Sequence, residues 1–277
     1  MFKSVFGVAL VCATVPAWAA QPQRNESQNE FLLGDRNSEA FFRLDESGQV
    51  DWRVDGVEQL FRQTFFFRSG GMQDERELTT LDILGAVATD TNPFVDDRDD
   101  ALSVRYLERE LGLTFDVSYS LRGGTDGTGF SDLAEQIVIT NSGNVGRSVY
   151  FFQYVDFDLG GTTGGDTARI VDGRVAQQFD VTGNLSVSET VVTPAPAHFQ
   201  VGNFADLLDL FSDGSPTTLN DNAGPFVGDA AWAFEWHVFL DPGETFIISK
   251  DKIIFPSPSA AALLGMGGLL ATRRRRS

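Results

Sequence analysis

The chain has 277 residues and a formal net charge of −18, with 39 acidic side chains against 21 basic ones. Five basic residues, Lys3, Arg273, Arg274, Arg275 and Arg276, lie at the extreme ends, so the stretch between them sets 16 basic against all 39 acidic groups, a net of −23. Such a surface repels phosphate and excludes a nucleic-acid role, while it keeps the chain soluble and attracts divalent cations.

Met1–Ala20 has the order of a secretory signal peptide: a basic residue (Lys3), an apolar run from Val5 to Val15, then Ala17-Trp18-Ala19-Ala20, with cleavage expected after Ala19 or Ala20. The single cysteine, Cys12, falls inside it, so the mature chain is expected to have no thiol and to be held by its core alone. Gln21–Glu30 is polar and without aromatics, and residues 21–38 read as a disordered leader.

From Glu39 to Phe255 the sequence alternates like strands separated by turns. Phe41–Leu44 and Val50–Val54 flank Glu46-Ser47-Gly48, and Asp55-Gly56 is a strong hairpin signal. Val57–Arg68, Leu78–Thr89, Ala101–Arg109 and Leu111–Arg122 follow, the last with Leu113, Phe115, Val117, Tyr119 and Leu121 on one face. Leu133–Thr140, Arg147–Leu159, Ala168–Val171, Arg174–Val181, Asn184–Val192, Ala230–Leu240 and Glu244–Phe255 continue the pattern, with turns at Asn141–Asn144, Asp172-Gly173 and Asp241-Pro242-Gly243. Helical spacing is clear only at Phe204, Leu207, Leu208 and Phe211, with Asn203 as N-cap and Gly214 as the stop, placing one short helix within 203–213. The predicted fold is all-β: one large antiparallel β-sandwich over residues 39–255, whose strand number and length fit a supersandwich of the mutarotase-like kind.

The last 22 residues differ from the rest. Pro256-Ser257-Pro258 leads into an uncharged apolar run, Ser259–Thr272, and then four consecutive arginines, Arg273, Arg274, Arg275 and Arg276. At about 1.5 Å per residue the apolar run spans ~21 Å as a helix, a marginal membrane span with arginines held on the cytoplasmic side. This tail resembles the PEP-CTERM sorting signal of exported bacterial proteins. Pro256 and Pro258 match its two prolines, Leu263-Leu264-Gly265 its apolar segment, and Arg273, Arg274, Arg275 and Arg276 its basic end; Ser257 stands where the family has glutamate. The resemblance implies processing by an exosortase, a membrane cysteine peptidase, and delivery to the cell surface or beyond. It covers only residues 256–277.

Candidates for chemistry are few. In Arg147–Leu159, alternation puts Asp156 and Asp158 on one face, ahead of Gly160–Gly165 and Asp166. These three carboxylates with loop carbonyls suit Ca²⁺, which takes six to eight oxygens, although aspartates at a strand end also serve as turn caps. Asp96, Asp97, Asp99 and Asp100 form a second acidic cluster, which reads as a solvated loop around Arg98. In Ala230–Leu240, Trp232, Phe234 and Trp236 face the core, leaving Glu235 and His237 together opposite, a pair with acid–base capacity. The other histidine is His198, and no nucleophile elbow, zinc-protease or phosphate-loop motif occurs. Two functions are left: a non-catalytic surface or matrix protein associated with exopolysaccharide, or an extracellular carbohydrate-binding or carbohydrate-active protein. Convergence of Asp156, Asp158, Glu235 and His237 in one cleft with an exposed Trp or Tyr would favour the second.

Overall fold

A computed structural model describes residues 29–180 and 185–257. In chain order the strands are β1 (Glu30–Asp35), β2 (Ser38–Arg43), β3 (Gly48–Val54), β4 (Val57–Glu58), β5 (Leu60–Ser69), β6 (Arg76–Glu77), β7 (Asp82–Thr89), β8 (Ala101–Glu108), β9 (Leu113–Gly123), β10 (Ser131–Asn141) and β11 (Arg147–Phe157). They continue with β12 (Asp166–Val171), β13 (Val175–Phe179), β14 (Leu185–Thr193), β15 (His198–Asn203), β16 (Phe226–Gly228), β17 (Ala230–Leu240) and β18 (Thr245–Pro256); helix α1 (Phe204–Asp209) lies between β15 and β16.

The strands form two antiparallel sheets. The first runs β1-β2-β3-β5-β11-β17-β15, with β4 beside β3 and β6 beside β5; the second runs β16-β12-β13-β14-β18-β10-β9-β8-β7. Packed face to face, they make the expected β-sandwich. Turn chemistry accounts for several connections. Asp55 and Gly56 both have positive φ (53° and 77°), as do Asp172 and Gly173 (51° and 68°), the conformation that two-residue hairpin turns require. The inner faces supply a continuous aromatic core, in which Phe157 stacks on Trp232 at 5.5 Å, Phe67 meets Phe115 at 4.9 Å, and the Trp52 indole donates across the sandwich to Ser131 Oγ.

Two expectations change. Strand β1 lies inside residues 21–38, the segment expected as a disordered leader: Leu33 is fully buried, Gly34 N–H donates to the Asp99 carbonyl, and β1 pairs with β2 along its whole length. The three apolar residues Phe31-Leu32-Leu33 at a sheet edge are enough to add a strand once β2 offers unpaired backbone groups. Residues 21–28 lie outside the described part. The second change concerns β17, whose face opposite Trp232, Phe234 and Trp236 is also largely buried, as are both faces of its neighbour β11. Their outer face carries Phe152, Tyr154, Ala231 and Ala233, and it is covered by α1 and the chain after it through Leu207, Phe211 and Leu219.

Helix α1 starts as the sequence predicts, with the Asn203 side chain accepting from the N–H groups of Ala205 and Asp206. The covering segment is then pinned by charge. Glu75 binds Arg68 and accepts from Thr217 N–H and Oγ1, and Arg68 also donates to the Thr217 carbonyl. Phe211 lies at the centre, stacked on Phe66 at 4.6 Å and against Phe152 at 5.4 Å. Phe211→Ala is expected to destabilise the fold by about 3–5 kcal/mol, read as a lower denaturant midpoint with an unchanged m-value.

Candidate functional site

The structure separates the residues that share a face in sequence. Tyr150 pairs with His237 and Phe152 with Glu235, whereas Asp156 pairs with Ala231. Glu235 and Asp156 thus stand four register positions apart on one sheet face, ~13 Å by strand rise. Glu235 is buried under the covering segment, where its Oε2 accepts from the Leu219 N–H. His237 is exposed and stacks on Tyr150 at 4.0 Å, while the Arg68 guanidinium lies over the same ring at 4.0 Å. Glu235 and His237 are therefore neighbours with separate occupations. Nor is there a sugar-stacking platform among the described tryptophans and tyrosines. Trp52, Trp232, Trp236, Tyr106, Tyr119 and Tyr154 are buried, and Tyr150 is enclosed by Arg68 and His237.

At the other end of β11 the carboxylates do converge. Asp156, Asp158 and Asp229 each present an oxygen, all within 4.8 Å of one another. Because β11 and β17 are antiparallel, the end of one lies beside the start of the other, and Asp229 immediately precedes β17. Asp156 is 2% exposed; its Oδ2 accepts from the Tyr154 hydroxyl and its Oδ1 has no hydrogen-bond partner. Burial, then the negative charge of Asp158 and Asp229, raises the Asp156 carboxyl to about 7. Burial and Asp229 raise Asp158 to about 6, and burial raises Asp229.

Asp166, expected as the third ligand, is near enough for its charge to act on Asp156 but falls outside the trio. It opens β12 in the second sheet, where its Oδ2 accepts from Gln178. Asp229 takes its place in the trio; the antiparallel pairing of β11 with β17 brings it there, and that pairing is invisible in the sequence of either strand. Three close carboxylates with one orphaned buried oxygen can share a proton or hold a hard dication.

The second acidic cluster ties down its own loop. Asp96 accepts from the Arg36 and Arg98 N–H groups and from the Arg98 guanidinium, and Asp100 accepts from Thr91 N–H and Oγ1. A shallow groove of about 450 Å³ lies beside it, lined by Arg36, Arg53, Arg98, Glu39, Asp55 and Asp126 among others. Of the sorting motif, Pro256 is the last residue of β18, paired with Leu185, and Ser257 is buried. Pro258 and the basic end, Arg273, Arg274, Arg275 and Arg276, lie outside the described residues, as do Ala17, Ala19 and Ala20 of the signal-cleavage motif. Among the described residues no helix is long and apolar enough to cross a membrane.

No family model and no curated protein matches this chain. Among solved structures it is similar to a bacterial glucoamylase complexed with acarbose (TM-score 0.54, 9% identity, covering 91% of this chain and 36% of that one). It is also similar to a putative aldose 1-epimerase from Escherichia coli K12 (TM-score 0.51, 10% identity, 82% and 98% covered) and to the Slr1438 protein of Synechocystis sp. PCC 6803 (TM-score 0.51, 11% identity, 88% and 100% covered). The chain thus spans about a third of the glucoamylase. At such identities the likeness establishes a shared fold, the large sandwich anticipated from strand number and length.

The trio makes stability depend on pH. Its carboxyls titrate higher in the folded protein than in the unfolded chain, so the folded state retains protons that the unfolded state has released. The trio's contribution to stability is therefore greatest below the ordinary aspartate value of 3.8 and is lost as pH rises through about 7. In EDTA, Asp156→Asn is expected to flatten that decline and to be more stable than the parent at pH 8 by about 1–3 kcal/mol, measured by urea denaturation at a series of pH values.

Proposed function

We propose that this is an exported, non-catalytic protein of the cell surface or extracellular matrix, associated with exopolysaccharide, sorted by its PEP-CTERM-like tail and processed by an exosortase-type peptidase. The observation that carries the non-catalytic reading is the dispersal of its acid–base groups. Glycoside hydrolysis needs two carboxyls facing one sugar, roughly 5–9.5 Å apart. Here Glu235 is covered and engaged by Leu219, about four register positions from Asp156. Asp156, Asp158 and Asp229 crowd together instead, an arrangement that a Ca²⁺ ion satisfies by neutralising their repulsion.

The sorting reading rests on the two terminal segments. Pro256 closes the last strand, so the expected processing region begins where the sandwich ends. Cell fractionation with intact-mass measurement tests it: the expected product begins after Ala19 or Ala20, has lost the arginine tail and is found outside the cytoplasm. A full-length protein recovered from the cytosol overturns it.

A carbohydrate-active role is the second reading, favoured by the fold shared with a glucoamylase and a putative aldose 1-epimerase. The raised Asp158 carboxyl would be its general acid. Calcium separates the two. If the trio is a dication site, Ca²⁺ at a hundred times its Kd raises stability by ~2.7 kcal/mol, and D156N or D158N abolishes the response. If it is catalytic, sugar turnover is detected without calcium and is lost in D158N.

A further inference from the structure

The interior of the sandwich holds a polar cluster that no surface site uses. Ile248, Lys250, Lys252 and Ile254 of β18 all point inward, and the two lysines are 2% and 0% exposed. They meet Glu135 of β10 and Glu189 of β14 from the same sheet, and Gln63 of β5 and Gln153 of β11 from the facing sheet; none of these four is more than 3% exposed. Lys250 Nζ donates to Glu135 Oε2 at 2.5 Å and to Glu189 Oε1 at 3.2 Å. Glu189 also accepts from the Trp232 indole at 2.8 Å. Lys252 Nζ donates to Glu135 Oε1 and to the side-chain carbonyl of Gln63. The Gln63 amide in turn donates to the same Glu135 oxygen at 2.7 Å, and its carbonyl accepts from Gln153 Nε2 at 3.0 Å.

These contacts supply every part of an amide exchange. An amine touches a carboxamide, one carboxylate oxygen touches both the amine and the amide nitrogen, and a fixed N–H donor meets the carbonyl oxygen. We propose that Lys252 and Gln63 join in an intramolecular isopeptide bond that the folded protein makes itself, with Glu135 carrying the protons. In the first step Lys252 gives a proton to Glu135, and its free amine attacks Gln63 Cδ. Negative charge develops on the Gln63 oxygen, where Gln153 already donates. The bond from Cδ to the amide nitrogen then breaks, Glu135 returns the proton to that nitrogen, and ammonia leaves. The second proton lost by the Lys252 nitrogen stays on Glu135. Atoms balance without an oxidant. The charge also balances, because the product retains Lys250 paired with Glu189 while Glu135 is neutral.

The surroundings set the starting charges for this sequence. Burial lowers the affinity of Lys252 for its proton, against the attraction of Glu135 and Glu189. Burial works to raise Glu135, but Lys250 and Lys252 outweigh it and hold the carboxyl down to about 2, so it begins as an ionised acceptor. Moving the Lys252 proton removes one of the charges that keep it so. Fixed juxtaposition removes the cost of bringing amine and amide together, one part of the barrier to amide exchange in solution. The bond would tie β5 to β18, and so sheet to sheet, across 189 residues in a body expected to have no disulfide.

Mass spectrometry of the purified protein decides the matter. The intact, denatured chain is expected to be lighter than its sequence by one ammonia. Trypsin should release a branched product in which the peptide Gln63–Arg68 is attached to Lys252, with no cut after Lys252. K252R, which keeps the charge, and E135A should each show the full mass. A parent protein of full mass, cleaved normally after Lys252, overturns the proposal. So does an ammonia loss confined to an unbranched Gln63 peptide, the mark of N-terminal glutamine cyclising after digestion. Both decisive readings come from the unmutated protein, so they stand even if E135A does not fold.

Discussion

Four charges buried between two sheets constrain this protein more than any other feature. Lys250, Lys252, Glu135 and Glu189 have no water to fall back on, so each must find its partner or the interior is left with an uncompensated charge. Their strands, β18, β10 and β14, are adjacent in one sheet, and Gln63 and Gln153 reach in from the other. A slip of one residue in β18 would turn both lysines out and bring Asp251 and Ile253 in. The network therefore selects the register within one sheet and the alignment of that sheet on its neighbour, which an apolar core of similar volume would leave less sharply defined.

The outer face of the first sheet follows from a second constraint. Its central strands are apolar on both sides, so one side needs a cover that the other sheet cannot provide. The chain around α1 provides it, held down by Arg68, Glu75 and Glu235. Placing Glu235 under that cover takes it out of reach of a bulky substrate. The carboxylates left beyond the cover collect at the end of β11, where Asp156, Asp158 and Asp229 repel one another. Structure and charge thus concentrate the chemical capacity of this surface in one small acidic site at the strand end, and the rest of the face is committed to packing.

Much of this architecture is legible in the residues. The alternation of Leu113, Phe115, Val117, Tyr119 and Leu121 is the inner face of β9, and Asn203 caps α1. The buried network left a trace as well: Lys250 and Lys252 lie between Ile248 and Ile254 in the apolar phase of a strand, and Glu135 and Glu189 occupy the same phase between Leu133 and Ile137 and between Val187 and Val191. A charged residue in that phase marks either a wrong strand or a buried partner, and reading strands one at a time does not distinguish them. The edge strand β1 escaped because three apolar residues in a polar stretch carry little signal until a neighbouring strand is present to pair with them.

By itself the sequence determined the all-β class, the turns, the helix cap and the acidic balance, because each depends on residues close together in the chain. Which strands lie side by side was decided only in three dimensions. That pairing exchanged Asp166 for Asp229 in the acidic trio, parted Glu235 from Asp156, and brought Lys252 onto Gln63 from 189 residues away. Local alternation says which way a side chain points, but the partner it meets depends on long-range pairing, whose energy is shared over the whole interface between the sheets.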